Sequence, residues 1–331
     1  MQTAWAVLHP GVLGAVAVLV ALAVDRVWGE PPARWHPVVW MGGYLGWVGQ
    51  RTAPLANVAG NQQRWMFWRG ALAWGAGALG VWLLSWAAVW LLDAAPGWLQ
   101  TLVLGLLLKP MLAWRMLRDE VKAVEDALNE TLAAGRERLA WLVSRDVTVL
   151  DATQVRESAI ESLAENLNDS VVAPLFWFAI AGLPGAALYR FANTADAMWG
   201  YRGAREGRDW TWAGKWAARA DDVLSWPPAR LTAGLLALVC GACRWRELRT
   251  QARQTPSPNS GWPMAAMALA LDVRLSKPGV YQLNPAGRSP QAADLARALQ
   301  LAGRVVGLLA ALAGLTAVVF AAAGIAQGVL P

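Results

Sequence analysis

Cysteine and histidine are both scarce in this sequence. The 331 residues include two cysteines, Cys240 and Cys243, in the apolar stretch LVCGACRW, and two histidines, His9 and His36. A disulfide-stapled scaffold needs several cysteine pairs, so a disulfide framework is excluded. A metal centre built from cysteine and histidine is also disfavoured, because one cysteine pair and two histidines do not supply the usual ligand set.

Charged residues are few as well. They make up 16% of the chain, against 56% hydrophobic residues, and 29 Lys and Arg outnumber 23 Asp and Glu to give a net charge of +6. This is not the balance of a soluble enzyme. The basic residues lie between long apolar runs, where positive charge sets membrane orientation, so we predict a membrane protein with no nucleic-acid partner. The 22 tryptophans support this, since many of them end apolar runs.

Four apolar runs predict full membrane spans. The first, residues 11–24 extended backwards over residues 4–10, is interpreted as an uncleaved anchor with its N-terminus outside, because basic residues follow it and none precedes it. The other three have about the 20 residues that a bilayer requires. They are residues 71–92, 98–117 and 305–330.

Two further apolar runs predict broken or re-entrant helices. Residues 171–191 are interrupted by Gly182-Leu183-Pro184-Gly185, and residues 231–243 number only 13, too few for an upright span. Keeping the basic loop 192–222 inside requires the same arrangement. The predicted fold is therefore all-α and polytopic, with about four full spans, broken or re-entrant helices and cytoplasmic helical loops in a single domain, residues 1–331. The cytoplasmic segments are predicted near 118–170, which opens with an amphipathic helix over 118–143, and near 192–230 and 244–304.

The stretch ESAIESLAENLND, residues 157–169, places an acidic side chain at every fourth position. Steps of four on an α-helix advance by about 40°, so Glu157, Glu161, Glu165 and Asp169 share one side. One interpretation is a solvated acidic face. The other is a cation site, because Asp169 lies where the chain enters an apolar segment, and Mg²⁺ is a hard cation that takes carboxylates together with substrate phosphate.

Three shorter clusters could also carry chemistry. Asn193 and Asp196 are spaced i,i+3, which fits a ligand pair or a helix N-cap beside a surface acid. Arg219 and Arg230, near Asp221 and Asp222, could bind phosphate or anchor the membrane surface. The turn SPNSGWP presents Asn259 and backbone N–H groups that could cradle an anion.

Two nucleotide-binding patterns are excluded or absent. Gly75–Gly80 fits GxGxxG, but it lies inside an apolar span with no preceding strand, so it indicates helix packing. The sequence has no GxxxxGK[ST], so a P-loop does not bind ATP here.

Taken together, six segments resemble the CobD/CbiB membrane proteins of cobalamin biosynthesis, in order and spacing across roughly residues 15–290. They are DRVWGEPPARWHPVVWMG (25–42), SRDVTVLD (144–151), ESAIESLAENLNDSVVAPLFW (157–177), YRFANTADAMWGY (189–201), ARADDVLSWPPARLTA (218–233) and SPNSGWPMAAMALALDVRL (257–275). The sequence departs from the family at Asp272, where a glycine is expected, and in the following loop, residues 276–287.

The resemblance implies adenosylcobinamide(-phosphate) synthase activity. This reaction joins the amine of (R)-1-aminopropan-2-ol, or of its O-phosphate, to a propionate carboxyl of adenosylcobyric acid, with ATP and Mg²⁺. It also implies a multi-pass protein of the bacterial inner membrane with cytoplasmic active-site loops, in contact with the bilayer and with other membrane-associated cobalamin-assembly enzymes.

Chemical reasoning assigns roles within that reaction as hypotheses. The predicted magnesium ligands are Glu161, Glu165 and Asp169, and Glu161, Asp221 and Asp222 are the catalytic candidates, with Asp221 or Asp222 accepting a proton from the incoming ammonium. Phosphate charge would be neutralised by Arg145, Arg219 and Arg230. The predicted substrate-binding set is Arg145, Asp146, Asn166, Asn193, Asp196, Arg219, Arg230, Asn259 and His36, although His36 also fits a satisfied polar residue near the membrane surface.

Two other functions stay open on the sequence. One is a Mg²⁺-dependent membrane transferase acting on a lipid diphosphate, although the paired DxxxD-like motifs expected on two spans are absent. The other is a non-enzymatic signalling protein of the AmpE-like type, which is distantly similar in architecture and predicts no dependence on the acidic helix.

Overall fold

The computed structural model describes residues 10–56, 63–241 and 244–326, and they are mainly helical. The helices are α1 (Pro10–Trp28), α2 (Pro37–Thr52), α3 (Gln63–Leu92), α4 (Gly97–Leu108), α5 (Trp114–Glu130), α6 (Leu132–Leu139), α7 (Ala152–Leu167), α8 (Ala173–Trp199), α9 (Lys215–Cys240), α10 (Trp245–Ala252), α11 (Gly261–Leu271) and α12 (Ala292–Ala326). Two short antiparallel hairpins pair β1 (Ala204–Arg205) with β2 (Arg208–Asp209) and β3 (Leu275–Lys277) with β4 (Tyr281–Leu283). The predicted all-α polytopic class is confirmed.

Six helical stretches of the described residues are long and apolar enough to cross a membrane, by length and composition. They are Gly11–Trp28, Arg64–Leu92, Gly97–Glu130, Ala152–Trp199, Lys215–Cys240 and Ala292–Gly324. Each of the four predicted full spans overlaps one of these stretches, and residues 4–9 and 327–330 of the predicted runs lie outside the described residues. The structure therefore has six candidate spans, where the sequence predicted about four full spans and two broken or re-entrant helices.

The two runs predicted as partial spans explain the difference in count. Residues 231–243 number too few for a span when only the apolar run is measured, but residues 231–240 of that run belong to α9, which begins at Lys215 and has 26 residues. Residues 171–191 do carry a break, because Ala181 and Gly182 leave helical geometry and Gly182 has a φ of 62°. Glycine tolerates this left-handed conformation, so the predicted interruption is confirmed at that point.

The predicted amphipathic helix over 118–143 is two helices rather than one. Thr131 is extended between α5 and α6, and its Oγ1 accepts a hydrogen bond from the backbone N–H of Ala134. A threonine N-cap of this kind starts a new helix, which the hydrophobic spacing alone does not reveal. The predicted apolar face is nevertheless present on α5, where Val121, Val124 and Leu128 are buried.

The chain packs as two compact units built from discontinuous segments, and a single domain over 1–331 stays a prediction. The first unit comprises the residues up to Leu112, Ala173–Leu224, and the residues from Leu312. Its helices approach closely where glycine allows it. A Cβ added at Gly105 of α4 would lie 2.5 Å from a methyl of Val20 on α1, so this crossing depends on the missing side chain.

The second unit comprises Ala113–Val172 and Ser225–Ala311, and α7 runs through its core. Helices α5, α6 and α11 and strand β3 all pack against α7. Its N-terminus is closed by a capping box, in which Asp151 accepts from the N–H of Gln154 and the Gln154 side chain accepts from the N–H of Asp151. Glu157, Glu161 and Glu165 therefore lie on a helix that is packed on several sides.

Candidate functional site in the second unit

The acidic face of α7 is buried. Glu157 is 1% exposed and Glu161 is 2% exposed, whereas Glu165 is only partly covered. A solvated acidic face is therefore excluded for the first two carboxylates. Buried carboxylates require hydrogen bonds or opposite charge, so the neighbours of each one define what this face can do.

Glu157 is held by the β3–β4 hairpin. Its Oε2 accepts from the backbone N–H of Ser276 at 3.1 Å and from the Ser276 hydroxyl, and Nε of Arg274 lies 3.9 Å from Oε1. The hairpin belongs to residues 272–288, to which sequence reasoning assigned no role. The basic residues of that loop, Arg274 and Lys277, were the one signal of an acidic partner.

Glu161 pairs with Arg145. Nη2 of Arg145 donates to Oε2 of Glu161 at 2.9 Å, and Nη1 donates to the Ser158 hydroxyl at 3.2 Å. The other carboxylate oxygen, Oε1 of Glu161, is buried and has no hydrogen-bond donor among the described residues. An unpartnered carboxylate oxygen in a low-dielectric site is costly unless a cation or a donor reaches it.

Glu165 and Asp169 extend the acidic face by one turn each. Glu165 experiences the negative charges of Asp169 and Glu161 and the positive charges of Lys277 and Arg145. The spacing predicted that Asp169 continues the α-helix. It does not, because residues 168–172 form a π-helical turn. Single π turns inside helices are frequent at functional sites.

Asn168 orients Asp169 within that turn. Nδ2 of Asn168 donates to Oδ1 of Asp169 at 2.7 Å, while Oδ1 of Asn168 accepts from the hydroxyl of Thr232 at 3.0 Å. Both Asn168 and Thr232 are buried. The π-helical turn therefore brings Asp169 into a hydrogen bond with the buried side-chain amide of Asn168. The four-residue repeat did not predict this contact.

Tyr281 of β4 lies beside the same carboxylates. Burial raises the pKa of its hydroxyl above the ordinary value, and the negative charge of Glu161 raises it further. Tyr281 is therefore a neutral hydrogen-bond donor over the whole range in which proteins work. Together with Lys277 it is a site residue that sequence reasoning missed.

The carboxylates of this face are chemically suitable ligands for a magnesium ion, but they do not form a complete coordination shell. Within the part of the chain that the structure describes, no three Asp, Glu, His or Cys side chains converge closely enough to hold a metal ion. Mg²⁺ commonly takes one or two protein carboxylates and fills its shell with water and phosphate oxygens. The free Oε1 of Glu161 suits that role, and the assignment of Glu161, Glu165 and Asp169 as ligands stays a prediction.

The other predicted residues of the second unit make local contacts. Asp146 accepts from the N–H and hydroxyl of Thr148, and these hydrogen bonds lower the pKa of its exposed carboxyl. Asn166 donates to the Ser162 carbonyl at 2.9 Å. Arg230 donates to Oδ1 of Asn259 at 2.6 Å, so these two predicted residues meet although 29 positions separate them.

The remaining predicted residues belong to the first unit. Asn193 donates to Oδ1 of Asp221 at 3.4 Å, which brings together two residues from separate motifs. Asp196 packs against Gly200, where an added Cβ would meet its Oδ1 at 2.0 Å. Asp222 experiences the charge of Arg202, and Arg219 is exposed.

His36 has a structural place in the first unit. Its Nδ1 accepts from the N–H of Val38 and caps α2, so its Nε2 carries the proton that it donates to Oε2 of Glu30 at 3.0 Å. Glu30 in turn accepts from Nζ of Lys109 at 2.8 Å. Both ring nitrogens are therefore in use, and substrate binding by His36 stays a prediction.

Comparison with known proteins gives the family. The family model for the CobD/Cbib protein matches residues 18–302. The chain belongs to the CobD/CbiB family. The cobalamin biosynthesis protein CobD of Chromobacterium violaceum is 41% identical to this chain over 317 residues, which cover 93% of this chain and 98% of that relative.

Two further CobD/CbiB relatives have similar identity. The cobalamin biosynthesis protein CobD of Rhodobacter capsulatus is 38% identical over 327 residues, covering 92% of this chain and 98% of the relative. The probable cobalamin biosynthesis protein CobD of Methanothermobacter thermautotrophicus is 40% identical over 273 residues, covering 80% and 85%. No solved structure matches the chain. The resemblance noted in the sequence is confirmed, and the chain is a membrane protein of cobalamin biosynthesis.

Proposed function

We propose that this CobD/CbiB protein catalyses ATP- and Mg²⁺-dependent amide formation. The acid is a propionate carboxyl of adenosylcobyric acid, and the amine is that of (R)-1-aminopropan-2-ol or its O-phosphate. The observation that carries the proposal is the buried oxygen Oε1 of Glu161, which accepts no hydrogen bond of standard geometry among the described residues and lies on an acidic face flanked by Arg145, Lys277 and Tyr281. Such a face suits a divalent cation and the phosphate oxygens that accompany it.

The chemistry requires activation of the carboxylate. Transfer of the γ-phosphoryl group of ATP to the propionate oxygen gives an acyl phosphate and ADP, and attack by the amine then forms the C–N bond and expels inorganic phosphate. The amine must lose a proton before or during the attack. Mg²⁺ bound to the phosphates supplies charge neutralisation when it is present.

The residues of the second unit have distinct roles in the proposed reaction. Glu161, Glu165 and Asp169 hold the cation, and Arg145 fixes the orientation of Glu161 through their ion pair. Lys277 brings a positive charge close to Glu161 and Glu165, where it can balance phosphate oxygens. Tyr281 stays protonated, and its hydroxyl hydrogen-bonds to the Glu161 carboxylate and so helps to position that carboxylate.

The genetic test uses a strain that lacks this gene. We expect growth that depends on cobalamin to be rescued by cobinamide and not by cobyric acid. Rescue by cobyric acid would place the protein before this step, and growth without either compound would favour the AmpE-like or lipid-diphosphate alternative. Accumulation of cobyric acid in the same strain would be the matching chemical observation.

The biochemical test uses the purified full chain and single variants. We expect Glu165→Ala and Asp169→Ala each to lower Mg²⁺-dependent condensation by about 100-fold or more, since each removes a proposed ligand of the cation that neutralises the transferring phosphate. The exposed Glu137 on α6 gives the matched control, because Glu137→Ala removes a carboxylate from the surface of the same unit. Retained activity in the first two variants would remove those residues from the metal site.

A further inference from the structure

A second concave feature lies in the second unit, apart from the acidic residues described above. It is a cavity of about 600 Å³, which we name the tryptophan–arginine pocket. Its walls include three tryptophans and three arginines: Trp226, Trp245, Trp262, Arg230, Arg249 and Arg253. The volume lies within the range of small-molecule sites, which is about 300–1,000 Å³.

The pocket is positively charged. No acidic side chain lines it, so three guanidinium groups are uncompensated within its walls. Arg249 and Arg253 lie four residues apart on and just after α10, so they share a helix face. Among the described residues, neither of their side chains forms an ion pair or a hydrogen bond, and both are exposed. They are free to bind an anion.

Arg230 has a different part in the pocket, because its guanidinium is already engaged. It donates to Oδ1 of Asn259 at 2.6 Å and to the Pro258 carbonyl at 2.9 Å, and it stacks 4.5 Å from the Trp226 ring and 4.8 Å from the Trp262 ring. These contacts fix the loop that follows α10 and hold two indoles in place. The pocket is therefore preorganised before any ligand arrives.

The indole rings supply stacking surfaces next to the free arginines. Trp226 is 57% exposed and Trp245 is 45% exposed, and the rings of Trp245 and Trp262 lie 5.9 Å apart. Indole faces bind planar aromatic rings, and guanidinium groups bind phosphate oxygens. A ligand that satisfies both has an aromatic ring joined to a phosphate chain.

We propose that the tryptophan–arginine pocket is a nucleotide-binding site, with the base stacked on the indoles and the phosphates bound by Arg249 and Arg253. The proposal rests on the ATP-dependent function proposed above: the pocket holds the base and the phosphates next to the ribose, and the transferred γ-phosphoryl group is the part that meets the acidic face. Helix α11 packs against both α10 and α7, so one element supports the pocket and the acidic helix alike. The sequence has no P-loop, which leaves room for a site of another kind.

Anionic lipid headgroups also carry phosphate. They are a competing ligand for this pocket, because Trp226 and Arg230 belong to a candidate membrane span. The test therefore measures binding of ADP, adenosine, inorganic pyrophosphate and dihexanoyl phosphatidylglycerol to the purified full chain in detergent by equilibrium dialysis. EDTA is present throughout, so that no divalent cation on the acidic face contributes. We expect ADP to bind, and adenosine and pyrophosphate to bind more weakly.

Three variants locate the binding. We expect the double variant Arg249→Ala/Arg253→Ala to weaken ADP and pyrophosphate binding by roughly tenfold or more, and Trp245→Ala to weaken ADP and adenosine binding without affecting pyrophosphate. Arg246→Ala is the matched control, because Arg246 is an exposed arginine of the same helix outside the pocket lining. All four replaced side chains are exposed, so the variants are expected to fold.

The outcomes separate this site from the proposed function. Unchanged ADP binding in the double variant would overturn the site, as would phosphatidylglycerol binding that depends on these arginines in a protein that does not bind ADP. Synthase activity with an unaltered KM for ATP in the double variant would overturn the site and leave the amide-forming function standing. ADP binding that needs Arg249 and Arg253, in a chain without synthase activity, would support the site and reject that function.

Discussion

The backbone N–H of Ser276 donates to the buried carboxylate of Glu157 at 3.1 Å, and the Ser276 hydroxyl donates to the same oxygen, although 119 positions separate the two residues. This pair attaches the β3–β4 hairpin to α7. The hairpin carries Lys277 and Tyr281, so its attachment also determines what lies opposite Glu161 and Glu165.

Ser276→Ala should loosen the hairpin. It removes the hydroxyl donor to a buried carboxylate and leaves only the backbone donor, which we expect to cost about 1.5–3 kcal/mol in the free energy of unfolding. The measurement is amide hydrogen exchange of residues 275–283 together with thermal unfolding in detergent. Ser289→Ala is the control, because that hydroxyl accepts an exposed hydrogen bond from Arg274. Equal exchange rates in the two variants would contradict the attachment.

Arg145→Met should destabilise the protein strongly. It leaves Glu161 as a buried carboxylate without its cation, a loss that costs about 3–5 kcal/mol. The double variant Arg145→Met/Glu161→Met should regain most of that stability, because it leaves no unpaired buried charge. It should not regain synthase activity, because it lacks the proposed cation ligand Glu161. Arg118→Met gives the control, since its pair with Asp119 is exposed and is expected to contribute at most about 1 kcal/mol. A double variant no more stable than the single one would refute the buried-pair interpretation.

Asp272→Gly should stabilise the protein. Asp272 closes α11 in the left-handed conformation, with φ 55° and ψ 43°, and a side chain there costs about 1 kcal/mol that glycine avoids. The left-handed conformation gives a physical reason for the glycine that the resemblance leads us to expect at this position. We expect a higher midpoint of thermal unfolding for the glycine variant and a lower one for Asp272→Val. An unchanged or lower midpoint in the glycine variant would show that Asp272 has a compensating contact.

Glu30 should give the protein a specific sensitivity to acid. Burial opposes its ionisation, but hydrogen bonds from His36 and Lys109 outweigh burial and hold the pKa of Glu30 below its ordinary value. A carboxyl with a lowered folded-state pKa contributes stability that is complete above its unfolded-state pKa, and that is lost as the pH falls through the folded-state pKa. Stability should therefore decrease from about pH 5 downwards.

The variant Glu30→Gln tests this pH dependence. It keeps a polar side chain of similar size but removes the titrating group, so we expect lower stability near neutral pH and a flatter profile between about pH 5 and pH 3. The measurement is the thermal midpoint in detergent across that range. Glu130→Gln serves as the control, because Glu130 is an exposed acid at the end of α5. An unchanged profile in Glu30→Gln would show that other carboxyls govern the acid response.

Local patterns in the sequence were sufficient for the class of fold. Apolar runs such as residues 71–92 reappear in α3, and Gly182 interrupts α8 where glycine and proline indicated a break. The four-residue repeat of Glu157, Glu161 and Glu165 correctly predicted one acidic side of a helix. These features depend on hydropathy and helical geometry, which are determined by residues close together in the sequence.

Tertiary packing decided the rest. Hydropathy could not show that α9 starts at Lys215 and makes residues 231–240 part of a long helix, because polar residues fill its first turns. The four-residue spacing of the acids could not distinguish a solvated face from a buried one. Burial depends on α5, α6, α11 and the β3–β4 hairpin, which pack against α7. The sequence by itself determined a helical membrane protein with a periodic acidic segment. Only the tertiary structure paired those acids with Arg145 and Ser276, because charge pairing across distant segments is fixed by the packing of the elements that carry them.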